Sequence, residues 1–255
     1  MSLRIAIAGK GGTGKSTFSA LLLRSLLARG IKPLLAVDAD PNSCLPEKLG
    51  IAAEQTIGEL REELRKDPDK KPAGVPKGEW MEGMINRAII ESTGLDMVVM
   101  GRQEGPDCYC FINNLLRQCL ERLGKQYAAV VIDNEAGLEH LSRRTNGSVE
   151  VLIVVAHPTI TGARTARRIM EIVKSLHLDV GASFLVLNQA DGELDGELAA
   201  EFGRTGIELA GFIPSDPIVR EYELKAQSLL GAPAESKAAE AVDGILEKIL
   251  ARRSV

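Results

Sequence analysis

Seven short apolar runs rich in β-branched residues recur along the chain: LRIAIAG from Leu3, LLAVD from Leu34, DMVVMG from Asp96, AAVVID from Ala128, VLIVVA from Val151, SFLVLN from Ser183 and LAGFI from Leu209. Their length suits strands, and their lack of polar alternation suits strands covered on both faces. Most are followed by apolar residues at helical spacing, as in FSALLLRSLLARG from Phe18. Buried strands alternating with helices predict an α/β fold: a single doubly wound, mainly parallel sheet of about seven or eight strands with helices on both faces. Ligands of such sheets lie beyond the carboxyl ends of the strands, so chemistry is expected in the residues just after each run.

The pattern breaks in one place. Lys66 to Glu79, KDPDKKPAGVPKGE, is dense in proline, lysine and aspartate and reads as an exposed excursion from one domain spanning 1–255. Near the far end, Val242, Ile245, Leu246, Ile249 and Leu250 are spaced for one helical face. Glu240, Asp243 and Glu247 beside them, with no aromatic anchor, favour a packing helix over one lying on an anionic membrane. Hydrophobic content of 45% is ample for a sizeable core, no apolar run is long enough for a membrane span, and the first run is too short for a secretion signal. A soluble cytoplasmic protein with reduced thiols and no membrane partner is the expectation. A net charge of −4 gives nucleic acid no support as a partner.

The strongest chemical signal follows the first run. GKGGTGKST, Gly9 to Thr17, fits the G-x-x-x-x-G-K-[ST] pattern and stands between a strand and a helix, the context that a phosphate-binding P-loop requires. Glycine lets the backbone N–H groups of Gly12 to Lys15 turn toward phosphate oxygens, and the helix N-terminus adds partial positive charge. Gly11, Gly12, Thr13, Gly14, Lys15, Ser16 and Thr17 are therefore expected to bind ATP or ADP. Lys15 reaches the β and γ phosphates and Ser16 ligates Mg²⁺.

Lys10, the second lysine of KGGTGK, resembles the deviant P-loop of the MinD, ParA and nitrogenase-iron-protein class of ATPases. That resemblance implies an ATP-dependent homodimer in which Lys10 reaches the partner's nucleotide. LLAVDADPNSC and AAVVIDNEAG resemble the two switch regions of the class. By that resemblance Asp40 orients the attacking water, Asp38 supports the first switch and Asp133 holds Mg²⁺ through water. A carboxylate at a strand end beside the P-loop suits either task, because phosphoryl transfer needs positioning and charge neutralisation. Asn188 matches the adenine-contacting asparagine of the class, with Gln189 where a lysine usually follows. Pro214 and Asp216, in FIPSDP, complete the implied adenine wall.

Four cysteines are present, two of them in EGPDCYCFINNLL. In extended chain, Cys108 and Cys110 point to one side about 6–7 Å apart, a spacing better suited to two thiolates on one ion than to a disulfide. Such an ion wants four ligands. Cys119 falls at helical spacing among leucines, and Cys44 reads as a small buried residue near the first switch. A second copy brought in by dimerisation would complete a four-sulfur site. GKGGTGKST, VDADPNSCL, CYC and DNEAGLEHLSRRT together resemble the CooC-type accessory ATPases that mature nickel carbon monoxide dehydrogenase, and the related factor for acetyl-CoA synthase. This implies Ni²⁺ or Zn²⁺ at Cys108 and Cys110 and a nickel-enzyme client. An iron–sulfur carrier with the same four-sulfur site, and a partitioning ATPase of the ParA/MinD type, remain as other readings. His157, in an unexpected His-Pro pair, reads as structural or nucleotide-adjacent rather than as a ligand.

Overall fold

Among the residues described by the structure, a computed structural model covering 2–66, 74–75, 77–102, 116–118, 120–121, 123–135 and 149–253, eight strands form one sheet. They are β1 (Leu3–Ala8), β2 (Leu34–Ala39), β3 (Ile89–Ile90), β4 (Leu95–Val99), β5 (Ala129–Asn134), β6 (Val149–Ala156), β7 (Val180–Asn188) and β8 (Glu208–Ile213), in the order β3-β4-β2-β5-β1-β6-β7-β8. All neighbours run parallel except β3 and β4. The expected mainly parallel sheet is therefore present. The two-residue β3 is too short to leave a sequence signature. Strand order reverses around β1, whose neighbours β5 and β6 both come much later in the chain, and this opens the crevice where ligands of such sheets bind.

Successive residues of β1 face opposite sides of the sheet. Ile5 and Ile7 join α1 (Lys15–Ala28), α2 (Leu45–Leu49) and α8 (Lys237–Arg253) on one face, with Phe18, Leu22, Val242 and Ile249 all buried. Ala6 and Ala8 meet Ala163 and Ala166 of α5 (Ile160–Ser175) on the other. Small side chains on both partners let that helix seat closely beneath the centre of the sheet. Farther along the same face, Leu35, Val37 and Ile132 pack with Ile57 and Leu60 of α3 (Ile57–Lys66) and Met84 of α4 (Lys77–Ala88). Two further helices among the described residues are α6 (Gly196–Gly203) and α7 (Pro217–Leu224).

The apolar face expected near the C-terminus is indeed a packing face: Val242, Ile245, Leu246 and Ile249 are buried and Leu250 packs against them. No helix among the described residues is long and apolar enough to cross a membrane. The excursion expected at 66–79 falls largely outside the described residues; at its borders α3 runs through Lys66 and α4 begins at Lys77.

Candidate functional site

The phosphate loop is shaped by close approaches that only glycine allows. A Cβ on Gly9 would stand 2.3 Å from the Val155 carbonyl oxygen, where the loop leaves β1 against β6. Gly14, at φ 88°, precedes α1, and a Cβ there would stand 2.3 Å from Asn188 Nδ2. The first turn of α1 has no side-chain cap and no acidic residue, so its N–H groups and partial positive charge are left to an anion. Within the loop, the Thr13 hydroxyl donates to the Lys10 carbonyl at 2.8 Å, and buried Lys15 Nζ reaches the same carbonyl at 3.4 Å.

Three aspartates gather at the ends of β2 and β5. Asp38 and Asp133 are register partners on these neighbouring strands, and Ile7 of β1 flanks Asp133. Asp38 is wholly buried; its Oδ1 accepts from Asp40 N and its Oδ2 from Leu45 N, each at 2.9 Å. Burial, then the charge of Asp133, raises its pKa to about 7 despite those bonds. Burial also raises Asp133 to about 6, opposed by the nearby Ser16 and Ser19 hydroxyls and the Lys15 ammonium. Neither Asp133 oxygen meets a donor in hydrogen-bonding geometry among the described residues. A buried, partnerless carboxylate beside the Ser16 hydroxyl is a donor set that fits a hard, oxygen-seeking cation such as Mg²⁺. Asp40 stands at the cavity wall, its Oδ1 accepting from Asn42 N at 2.8 Å and Asn42 Nδ2 at 3.0 Å. Arg102 Nη2 in turn donates to Asn42 Oδ1 at 2.7 Å, steadying this turn from β4.

Of the three aspartates only Asp40 opens onto a cavity of about 920 Å³; Asp38 and Asp133 are not part of its lining. The cavity is lined by Gly11, Gly12, Gly14, Lys15, Ser16 and Thr17 of the loop and helix start, by Asp40, and by Asn188, Pro214 and Asp216, with Asn188 lying directly against the loop. Most residues expected at the site thus line one space, although several polar groups are already engaged. Asn188 Nδ2 donates to Thr13 O at 2.9 Å. Asp216 Oδ1 accepts from Ile218 N at 2.8 Å, and its Oδ2 accepts from Ser236 Oγ at 2.6 Å and Ala238 N at 2.9 Å. Burial alone would raise the Asp216 pKa, but these bonds outweigh it and hold the carboxyl below its ordinary value.

Glu223 has no local signal in the sequence, whereas His157 reads there as structural or nucleotide-adjacent. Glu223 of α7 reaches the cavity, its Oε1 accepting from Thr17 Oγ1 at 2.8 Å and Lys48 Nζ at 2.6 Å, which ties α1, α2 and α7 together at the rim. His157 spans two carbonyls, with Nδ1 3.3 Å from Asn188 O and Nε2 3.2 Å from Gly12 O, and so braces the loop from β6. A neutral ring donates to one of them at a time.

A second cavity of about 330 Å³ lies beyond the loop, lined by Lys10, Thr13, His157, Thr159, Thr161 and Gln189 among others. Lys10, unlike Lys15, lines this space and not the larger one. Cys44 corrects its sequence reading: it is exposed, at the start of α2 and on the wall of the larger cavity. Partial burial and the carboxylates of Asp40, Asp38 and Glu47 push its thiol up, which keeps it protonated and a poor metal ligand at neutral pH. Cys108, Cys110 and Cys119 lie outside the described residues. Among the described residues, no three His, Cys, Asp or Glu side chains gather as a metal site.

Comparison with known proteins agrees with this geometry. The CbiA family profile, described as the CobQ/CobB/MinD/ParA nucleotide binding domain, matches residues 5–229. An uncharacterized ATP-binding protein of Methanocaldococcus jannaschii is 40% identical over 98% of this chain and 99% of its own. The carbon monoxide dehydrogenase accessory protein CooC of Rhodospirillum rubrum is 30% identical over 68% of this chain and 70% of its own. Among solved structures, the septum site-determining protein MinD of Pyrococcus horikoshii, complexed with Mg-ADP, aligns with a TM-score of 0.69 at 23% identity, covering 100% of this chain and 99% of that one.

Proposed function

The chain belongs to the CobQ/CobB/MinD/ParA family of nucleotide-binding domains, and from that premise we propose that it is an ATP-hydrolysing metallochaperone. In this reading it dimerises with ATP, binds nickel or zinc at Cys108 and Cys110 across the dimer axis, and assists nickel insertion into a carbon monoxide dehydrogenase or acetyl-CoA synthase. The observation that carries the nucleotide half is the large cavity, where an uncapped helix N-terminus and buried Lys15 meet, with the buried Asp133 carboxylate beside Lys15 and Ser16. The CooC relative, at 30% identity, supports the nickel half. The structural likeness to MinD, below 25% identity, supports the fold and carries no partitioning role.

The division of labour follows from position. Lys15 and the loop N–H groups hold the β and γ phosphates. Ser16 and Asp133 hold Mg²⁺, which supplies neutralising charge when bound. Asp40, steadied by Asn42, orients the attacking water. Lys10, which lines the smaller cavity and not the larger one, serves the nucleotide of a second copy.

Thiolates from two chains complete one ion's shell only in the closed dimer, so the nucleotide that favours closure raises metal affinity by the same factor. Nickel titration of anaerobically purified protein tests this. One ion is expected per two chains, bound more tightly with a slowly hydrolysed ATP analogue than with ADP. Cys108→Ala with Cys110→Ala should lose the ion and keep the nucleotide. A full nickel per chain, or an affinity indifferent to nucleotide, overturns the shared-site reading. Brown absorbance with bound sulfide replaces nickel by an iron–sulfur cargo.

A further inference from the structure

A nucleobase is told from its rivals by the donors and acceptors along its ring edge, so the base end of the cavity must offer free polar groups. The residues assigned there by resemblance have largely spent theirs. Asn188 commits its amide nitrogen to Thr13 O and sits tight against Gly14. Both Asp216 oxygens cap helices, and Pro214 has no side-chain donor or acceptor. The next residue is different. Gln189 lines the nucleotide cavity, is exposed, and its amide meets no partner among the described residues.

Its backbone is held in place to do so. Gln189 has φ 56°, a left-handed conformation uncommon outside glycine and asparagine, and the following Ala190 N donates to Ile213 O at 3.0 Å. That bond ties the turn after β7 to the end of β8, fixing the position from which the side chain leaves the wall. With Gly11, Gln189 also forms the boundary shared by the two cavities.

We infer that Gln189 is a specificity-determining residue that reads the purine edge. The inference rests on the nucleotide reading of the cavity. A lysine there would offer donors alone, whereas a carboxamide offers one donor beside one acceptor. Adenine presents its N6 amine beside a ring-nitrogen acceptor, and an amide matches that pair bidentately. Because nothing holds the amide in one orientation, it also turns to face guanine O6 and N1–H. The site is therefore a purine reader that tolerates guanine, with discrimination left to a single unclamped side chain.

Calorimetric titration with Mg-ADP and Mg-GDP tests the assignment. Wild-type protein should bind both, within about tenfold of each other. Gln189→Gly suits the left-handed backbone and breaks no internal hydrogen bond, so it should fold normally while weakening ADP about tenfold. Gln189→Glu places two acceptors at the edge, matching guanine N1–H and N2–H and repelling the adenine ring nitrogen, so it should tip the ratio toward GDP. Unchanged ADP affinity in the glycine variant, or an unchanged ratio in the glutamate variant, overturns the assignment while leaving the nucleotide site standing. Failure of wild-type protein to bind either nucleotide overturns both together.

Discussion

Asp38 and Asp133, side by side on β2 and β5, store electrostatic tension in the ion-free protein. Their carboxyls titrate near 7 and 6, chiefly because burial disfavours the charged form. The folded chain therefore keeps protons that the unfolded chain has already released, so unfolding becomes easier as pH rises between about 4 and 7. With a chelator present, unfolding free energy from urea titration should fall by on the order of 2 kcal/mol between about pH 5.5 and 8. Asp38→Asn combined with Asp133→Asn should abolish that slope, and stability that rises over the same interval would refute the assignment. Asp216, held below its ordinary value, acts in the opposite sense but only at pH below about 4. The candidacy of these aspartates was legible from their places after strands. Their shared burial was not, because it depends on which strands become neighbours.

At the level of elements, Asp216 joins two helices. It caps α7 through Ile218 N and, through Ser236 Oγ and Ala238 N, secures the start of α8. Asp216→Ala should therefore lower stability by about 1–3 kcal/mol, more than loss of an ordinary single cap, as read from a denaturant midpoint at constant slope. A loss below about 0.5 kcal/mol would mean that water replaces both sets of bonds. Half of this role was readable in advance: Asp followed by Pro217 is a helix-start signal in local sequence. The other half involves Ala238, 22 residues away, and became visible only once α8 packed beside the base wall.

At the scale of the whole molecule, the two cavities lie on opposite sides of one loop and give its two lysines different destinations. Lys15 belongs to the nucleotide space and Lys10 to the smaller one. If a second copy closes over the loop, Lys10→Ala should bind ADP normally yet stay monomeric with a slowly hydrolysed ATP analogue, as sedimentation velocity would report. An ordinary ATP-induced dimer from that variant would remove the cross-subunit role. Lys15→Ala, by contrast, should lose nucleotide affinity outright, because Lys15 lines the large cavity of its own chain, where a P-loop lysine neutralises phosphate.

The sequence by itself determined what short-range physics controls. Continuous apolar runs could be stable only as covered strands, and a phosphate loop between a strand and a helix is specified within a dozen residues. The C-terminal packing face was likewise legible from spacing alone. Tertiary structure decided the order of strands, which made Asp38 and Asp133 neighbours. It also decided which polar groups are spent inside the protein. Asn188 reaches Thr13 across 175 positions, and Glu223 reaches Thr17 across 206. A side chain's chemistry is written in its identity, but its availability depends on whether a distant backbone group claims it first. That is why resemblance alone could propose Asn188 and Asp216 for a base wall without showing that their polar atoms are engaged, while the free amide of Gln189 emerged only in three dimensions.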